Sequence, residues 1–400
     1  MQKTKHGMCW ATSLAAMLLA SAHSAYAENS LPGWHLDRVV VVMRHGVRPP
    51  TKAEPLPASI PHQPWPAWDV GWGELTHHGE QAVALLGSYD RTTYAPLLGK
   101  ACPVSGTVRA VSDTDQRTIR TAEVYVAALF PGCGVTVSHL EPGATDPRFS
   151  PFDGAPLLSP DAMQAAAEAA LPADGAAGLN RQIAPLLGTL DRIIACGNAD
   201  CALATKPTAI NVKAGAIKLE GGLGTGASFA ETLALEYADG KPMAEVGWGR
   251  ADRATITRLL ALHTQEFALT ARPTAIAKAG AHALLQEIAT ALSSRTGPRF
   301  SLFLGHDTNL ALIGGALDLH WHAAQFAPDD PPPGGALIFE RWRNAAGRNR
   351  LVLRFRSQSL DEMRELSPMQ ASDVKSVAFM PCSTSTGCSD AELVTTLLGD

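Results

Sequence analysis

The stretch VVVVMRHGVRPPTK, residues 39–52, ends a run of valines in Arg44, His45 and Arg48. Two guanidiniums flanking an imidazole suit a tetrahedral dianion, because each arginine can donate a bidentate pair to phosphate oxygens. Their positive field also disfavours protonation of the histidine, and an unprotonated imidazole can attack phosphorus. A second stretch, GHDTNL at 305–310, offers His306 as a further anion donor and Asp307 as a carboxyl able to protonate a leaving oxygen. Asp307 equally suits the N-cap of a helix. A third stretch, SDTDQRTIRT at 112–121, puts Arg117 in the first turn of a helix that Asp113 or Asp115 can cap. A cation there opposes the helix dipole by about 0.3–1 kcal/mol; a bound anion or a salt bridge to Asp113 relieves the conflict. Each stretch alone has a structural reading, as a basic surface loop, a helix cap or an ion pair. Together they supply a nucleophile, several anion donors and a proton source.

Residues so far apart must be brought together by the fold, and each stretch follows a predicted strand. Residues 38–43 read as a fully buried central strand, a continuous β-branched run bounded by Gly and Pro. Residues 107–111 and 301–304 are two more strands, followed by helical patterns at 114–129 and 308–317, which points to an α/β sheet. Ligands of open α/β sheets bind outside the carboxyl ends of the strands, where all three stretches lie. ALIFERW and RLVLRFR, at 336–342 and 350–356, read as late strands, and DDPPPGG at 329–335 as a surface loop.

The middle of the chain is rich in alanine and leucine at helical spacing over 162–195, and further helices are expected near 227–238, 251–270 and 272–294. GGLGTG at 221–226 reads as a flexible connection before a helix, since no strand clearly precedes it and no Lys-Ser/Thr follows. HHGE at 77–80 and HWH at 320–322 read as a helix start and a loop edge rather than metal ligands. No GxSxG elbow is present. The expected fold class is α/β, a mixed central sheet flanked by helices with a mainly helical inserted domain. Its expected boundaries are a signal peptide at 1–27, an α/β domain from 28–139 plus 251–400, and the insertion at 140–250.

Composition bounds the function classes. The chain is 46% hydrophobic and 18% charged, ordinary for a soluble globular protein with a large core. Lys3, Lys5 and His6 precede an apolar run and the small-residue site Ala25-Tyr26-Ala27, the pattern of a secretory signal. Its removal takes two lysines and no acid from a net charge of −5, so nucleic acid is not an expected partner. No other stretch approaches the roughly 20 apolar residues of a membrane span. Six cysteines remain after cleavage, Cys102, Cys133, Cys196, Cys201, Cys382 and Cys388. Sequence order suggests pairing 102 with 133, 196 with 201 and 382 with 388, among fifteen possible pairings. Zinc-ligand spacing is lacking, so no metal is expected.

RHGVRPP and GHDTN together resemble the histidine acid phosphatases, the branch of the histidine phosphatase superfamily with an RHGxRxP signature. PAWDVGWGELTHHGEQ, SDTDQRTIRTAEVYVAALFPGC, EVGWGR, GHDTNLALIGGALDLHW and PPPGGALIFERWR are similar to bacterial periplasmic phytases along most of the mature chain, and 140–225 is similar least. The resemblance implies that His45 is the phosphorylated nucleophile, that Arg44, Arg48, Arg117 and His306 hold phosphate, and that Asp307 donates the proton. Thr51 and Lys52 match a TK pair lining the substrate pocket, and Asp113 matches a pocket aspartate. Glu231 lies where the family places an acidic pocket residue, with a solvated helix face as the competing reading. Thr308 leans toward phytase. A cysteine pair that in those phytases ties the helical region to the C-terminus is absent, which implies looser attachment.

The function expected is an acid phosphatase, periplasmic or secreted and monomeric, that hydrolyses phosphate monoesters through a phosphohistidine, with phytate (inositol hexakisphosphate) the favoured substrate and no cofactor. A glucose-1-phosphatase acting on a sugar phosphate, or a broad acid phosphatase, is the alternative within the family. A periplasmic phosphate-ester binding protein without turnover is the alternative from another class, although a pure binder would need neither His45 nor Asp307.

Overall fold

The valine run forms β1 because both faces of its strand are covered. In the computed structural model, which describes residues 31–53, 56, 60, 63–197, 200–379, 381, 382 and 386–399, alternate side chains of this strand enter two different cores. Val40 and Val42 join one hydrophobic cluster; Val39, Val41 and Met43 join the other. Each buried valine contributes about 1.5–3 kcal/mol of transfer free energy, and a strand buried on both sides reads as a continuous rather than alternating hydrophobic run. The expected signal sequence, 1–27, lies outside the described residues.

The strands are β1 (Trp34–Arg44), β2 (Val108–Ser112), β3 (Ala209–Lys213), β4 (Ala216–Glu220), β5 (Phe300–Gly305), β6 (Ala336–Asn344), β7 (Asn349–Arg356) and β8 (Val374–Val377). Six of them make one mixed sheet in the order β2-β5-β1-β6-β7-β8, and β3 and β4 make a separate hairpin. β1, β5 and β2 run parallel, while β6, β7 and β8 continue the sheet antiparallel. Helices His77–Thr93 and Gln116–Leu129 supply buried residues to one core, and Thr274–Ser293 and Asp307–Ala316 to the other. The chain is thus α/β with a central mixed sheet flanked by helices. Among the described residues no helix is long and apolar enough to cross a membrane.

Parallel register sets the site. Arg44 is opposite Gly305, and Ser112 is opposite Leu304. One residue further along each strand come His45, His306 and Asp113, side by side at the carboxyl edge. Backbone hydrogen bonds fix the step, His45 N–H to the Gly305 carbonyl at 3.0 Å and Asp113 N–H to the Leu304 carbonyl at 3.0 Å.

The stretch 140–250 carries helices Pro160–Ala169, Gly175–Ile194 and Gly222–Ala238 together with the β3–β4 hairpin. GGLGTG is not a loose connection: β4 precedes it directly, and from Gly222 onward its residues are the first turns of the third helix. Glycine is needed there for close approach. A Cβ on Gly224 would collide with the Leu219 carbonyl oxygen, and one on Gly226 would sit 2.6 Å from Leu187. The helical part is tied to the helix Leu360–Glu365 by Arg364, which donates to the carbonyls of Tyr237 at 2.9 Å and Lys241 at 2.8 Å. Tyr237 in turn donates to Asp361 at 2.7 Å.

DDPPPGG is not a surface loop either, for Asp330 through Gly335 are buried. Three prolines bring no N–H group inside, so the usual cost of burying loop backbone is reduced. The remaining groups are used: Gly334 N–H donates to the His45 carbonyl at 2.9 Å, and the Gly335 carbonyl accepts from Arg44 N–H at 2.9 Å. Disulfides join Cys102 to Cys133, Cys196 to Cys201 and Cys382 to Cys388.

Candidate active site

The carboxyl ends of β1, β5 and β2 open onto a cavity of about 730 Å³, walled on the far side by β4 and by helices Gly222–Ala238 and Ala261–Thr270. His45, Arg48, Arg117, His306 and Asp307 line it, as do Lys52 and Lys218. Arg44 lies just beneath, 1% exposed.

His45 is 1% exposed, and its Nδ1 is 2.9 Å from the Gly46 carbonyl oxygen. That contact needs the proton on Nδ1, which leaves Nε2 unprotonated and able to accept. Arg48 Nε lies 3.5 Å from Nε2. Burial, followed by the charges of Arg117, Arg48, Arg44 and His306, pushes the His45 imidazole well below its ordinary range, which favours the neutral ring. The His306 ring meets it edge-on with centroids 5.7 Å apart.

Three arginines surround this imidazole. Arg44 donates from Nη1 to the Pro331 carbonyl at 2.6 Å, and its Nη2 contacts both Glu231 and Asp307, the latter at 2.9 Å. Arg48 reaches Glu231 at 3.3 Å. Arg117 pairs with Asp115 at 2.6 Å. The conflict of Arg117 with its helix dipole is therefore relieved by Asp115, not by Asp113. Asp113 takes another partner: its Oδ2 accepts from His306 Nε2 at 2.6 Å and from the Ser150 hydroxyl at 3.3 Å. Burial alone would raise the Asp113 carboxyl, but the hydrogen bond and charge of His306 hold it below the usual range.

Asp307 is the first helical residue of Asp307–Ala316 and not its cap; His306 occupies the cap, and its N–H donates to the Asn309 side chain at 2.8 Å. The Asp307 carboxylate accepts from its neighbour Thr308 N–H at 2.7 Å and turns toward Arg44. Burial would raise its pKa, yet Arg44, His263, Arg48 and His306 together hold it far below the carboxylate range. Glu231 is held down in the same way, by Arg48 and Arg44 against burial, so it belongs to the cavity and not to a solvated face. Lys52 lines the cavity, whereas the exposed Thr51 stands beside Gly73 outside it.

Three acidic or basic residues here have no counterpart among the residues expected from sequence. His263, 4% exposed, lies with its Nδ1 3.0 Å from Asp330, which is 1% exposed. Glu266 lies one helical turn on and lines the cavity; burial pushes its carboxyl up to about 7. The available signal was a pair of ionisable residues three apart, His263 and Glu266, in the helical stretch ALHTQEFAL. Glu231, His263 and Asp307 bring their ligand-type atoms within 4.8 Å of one another, as do Asp113, Asp115 and His306. In both groups carboxylates already face guanidinium or imidazole partners.

The arrangement can hold a tetrahedral dianion among Arg48, Arg117 and His306, with a neutral imidazole on one side and a carboxyl group at hand. The family model for the histidine phosphatase superfamily (branch 2) matches residues 35–181. Phytase AppA of Escherichia coli strain K12 is 33% identical over 89% of this chain and 88% of its own. A glucose-1-phosphatase of Salmonella typhimurium is 30% identical over 87% of each chain. The structure of Hafnia alvei phytase in complex with myo-inositol hexakis sulphate superposes with a TM-score of 0.82 at 30% identity, covering 92% of this chain and 97% of that one. With the RHG and HD stretches meeting at one strand edge and this likeness running nearly end to end, the chain belongs to the histidine phosphatase superfamily, branch 2, and is a histidine-type acid phosphatase.

Proposed function

We propose that this chain is an exported acid phosphatase that hydrolyses phytate through a phosphohistidine on His45. The observation that carries the reading is His45 itself, a buried imidazole with Nδ1 engaged by the Gly46 carbonyl, Nε2 turned toward Arg48 Nε at 3.5 Å as an unprotonated acceptor, and three guanidiniums around it. In the first step Nε2 attacks phosphorus, the ester P–O bond breaks, and Asp307 gives its proton to the departing oxygen. In the second, water attacks the phosphohistidine, Asp307 takes the water's proton, and the P–N bond breaks. Arg44, Arg48, Arg117 and His306 stabilise the charge on the equatorial oxygens throughout. Asp307 is a carboxylate before substrate arrives; a phosphate dianion among the same cations offsets their field and raises its affinity for the proton it must deliver.

Phytate is favoured over a sugar phosphate because two lysines, Lys52 and Lys218, line the same cavity in addition to the arginines and His306. A substrate with several phosphates uses both, and a monophosphate uses neither. The relatives include a phytase and a glucose-1-phosphatase, so the comparison that separates the readings is turnover of phytate against glucose 1-phosphate. A higher kcat/KM on phytate is expected, and the reverse order would move the chain to the second reading. His45→Ala is expected to lose turnover of any phosphate monoester by on the order of 10⁴-fold or more with the fold intact. Normal turnover by that variant would remove the phosphohistidine, and binding of phosphate esters without any release of phosphate by the unaltered protein would favour the binding-protein alternative.

A further inference from the structure

Asp307 is faced by charged groups from every element packed around it. Arg44 ends β1, Arg48 follows in the next loop, His306 precedes it in the chain, and Arg117 lies on the helix Gln116–Leu129. Glu231 comes from the helix Gly222–Ala238, His263 and Glu266 from Ala261–Thr270, and Asp330 from the proline loop. Arg44, Arg48, Arg117 and His306 belong to the phosphate cradle, so a bound phosphate shares their charge. His263 is different, because its imidazole is already committed to a buried partner.

That partner is firmly placed. Asp330 has its carbonyl bonded by the Trp321 indole N–H at 2.7 Å, and three prolines follow it in the chain. The same loop holds Arg44 through the Pro331 carbonyl. His263 is packed edge-on against Phe267, centroids 4.8 Å apart, and its ring reaches within 4.8 Å of the oxygens of Glu231 and Asp307. One imidazole thus links a buried aspartate to the two carboxylates that share Arg44.

We propose that His263, held as an imidazolium by Asp330, is a positioning residue that fixes the charge and orientation of Asp307 and thereby sets the pH range in which the enzyme turns over. The inference rests on the phosphatase reading above. Burial works against a charged His263, but Asp330, Glu231 and Asp307 overcome it and raise the ring to about 9. Asp307 must be protonated as acid in the first step and unprotonated as base in the second. Both limbs of the kcat profile therefore follow its proton affinity. A neighbouring cation lowers that affinity, so removing the cation moves the whole bell upward in pH.

The test compares His263→Gln, His263→Lys and Asp330→Asn by pH profiles of kcat on a phosphate monoester, with ring-nitrogen NMR of the unaltered enzyme. His263→Gln is expected to shift the bell upward by about one pH unit, Asp330→Asn in the same direction, and His263→Lys to restore it. Glu266→Gln, which keeps the histidine, is expected to leave the shift caused by His263→Gln in place when the two changes are combined. NMR is expected to show His263 as an imidazolium throughout the active range. A lower kcat with an unmoved profile, equal shifts in the His263→Gln and His263→Lys variants, or a neutral ring at the pH of activity would each overturn the role of His263. Loss of the phosphatase reading is distinguishable, since it requires that the unaltered enzyme release no phosphate, and the NMR result stands independently of turnover.

Discussion

Two buried arginines stand at the same end of the sheet and meet different fates. Arg356, at the end of β7, is 0% exposed and lies across the sheet from Met43, with one amino group 3.6 Å from the methionine sulfur. It pairs with Asp90 at 3.4 Å and lies over the Tyr125 ring, whose hydroxyl donates to Asp90 at 2.5 Å. Arg44, the next residue after Met43, is as deeply buried but pairs with two carboxylates that face the cavity. The carboxylates report the difference. Asp90 meets one guanidinium and burial wins, so its pKa rises. Asp307 meets Arg44, His263, Arg48 and His306, and its pKa falls. Glu236, on the helix Gly222–Ala238, accepts from Gly247 N–H at 2.9 Å, and burial takes it up to about 7. Burial sets the penalty for a buried acid, and the number of cations facing it decides whether it stays charged.

Exchanging each arginine for methionine tests that contrast most strongly. Arg44→Met is expected to lower kcat/KM by roughly 10²–10³-fold, because a donor to the developing charge is lost, with a smaller effect on the denaturant midpoint. Arg356→Met is expected to do the opposite, costing about 3–5 kcal/mol of stability by leaving the buried Asp90 carboxylate without its guanidinium while kcat holds. That cost should shrink in acid, where Asp90 takes up a proton. Equal losses of turnover in both variants would erase the distinction between closed and open clusters.

The smallest effect concerns Glu236. Its carboxyl binds a proton more tightly folded than unfolded, so its contribution to stability is complete below the ordinary value of 4.5 and is lost as pH climbs to about 7. The loss amounts to about 3 kcal/mol by neutral pH. Glu236→Gln is expected to flatten the stability profile over that interval, measured by urea unfolding at several pH values. An unchanged slope would mean that burial does not govern this acid.

Much of the site was legible because short motifs sit at strand ends. Valines that tolerate burial on both faces define β1, and the basic residues directly after it can only emerge at its carboxyl edge. The stretches led by Asp113 and His306 followed by the same logic, once their strands were taken as parallel. Partner choice was less legible. Whether Arg117 pairs with Asp113 or Asp115 depends on where His306 stands, and that depends on β5 lying between β1 and β2. The cap of the helix Asp307–Ala316 moved by one residue because the Asn309 side chain accepts from His306 N–H.

The order of residues by itself placed Arg44, His45 and Arg48 together after one strand and His306 beside Asp307, since neighbours in the chain set both groupings, and it suggested the three local disulfides without excluding the other pairings. Tertiary structure alone decided that Asp330 and the prolines after it would be interior, that GGLGTG would begin a tightly packed helix, and that His263 would face Asp307. Those outcomes join residues as far apart as Arg44 and Asp330, where the long-range fold fixes burial and charge and no local spacing encodes the contact.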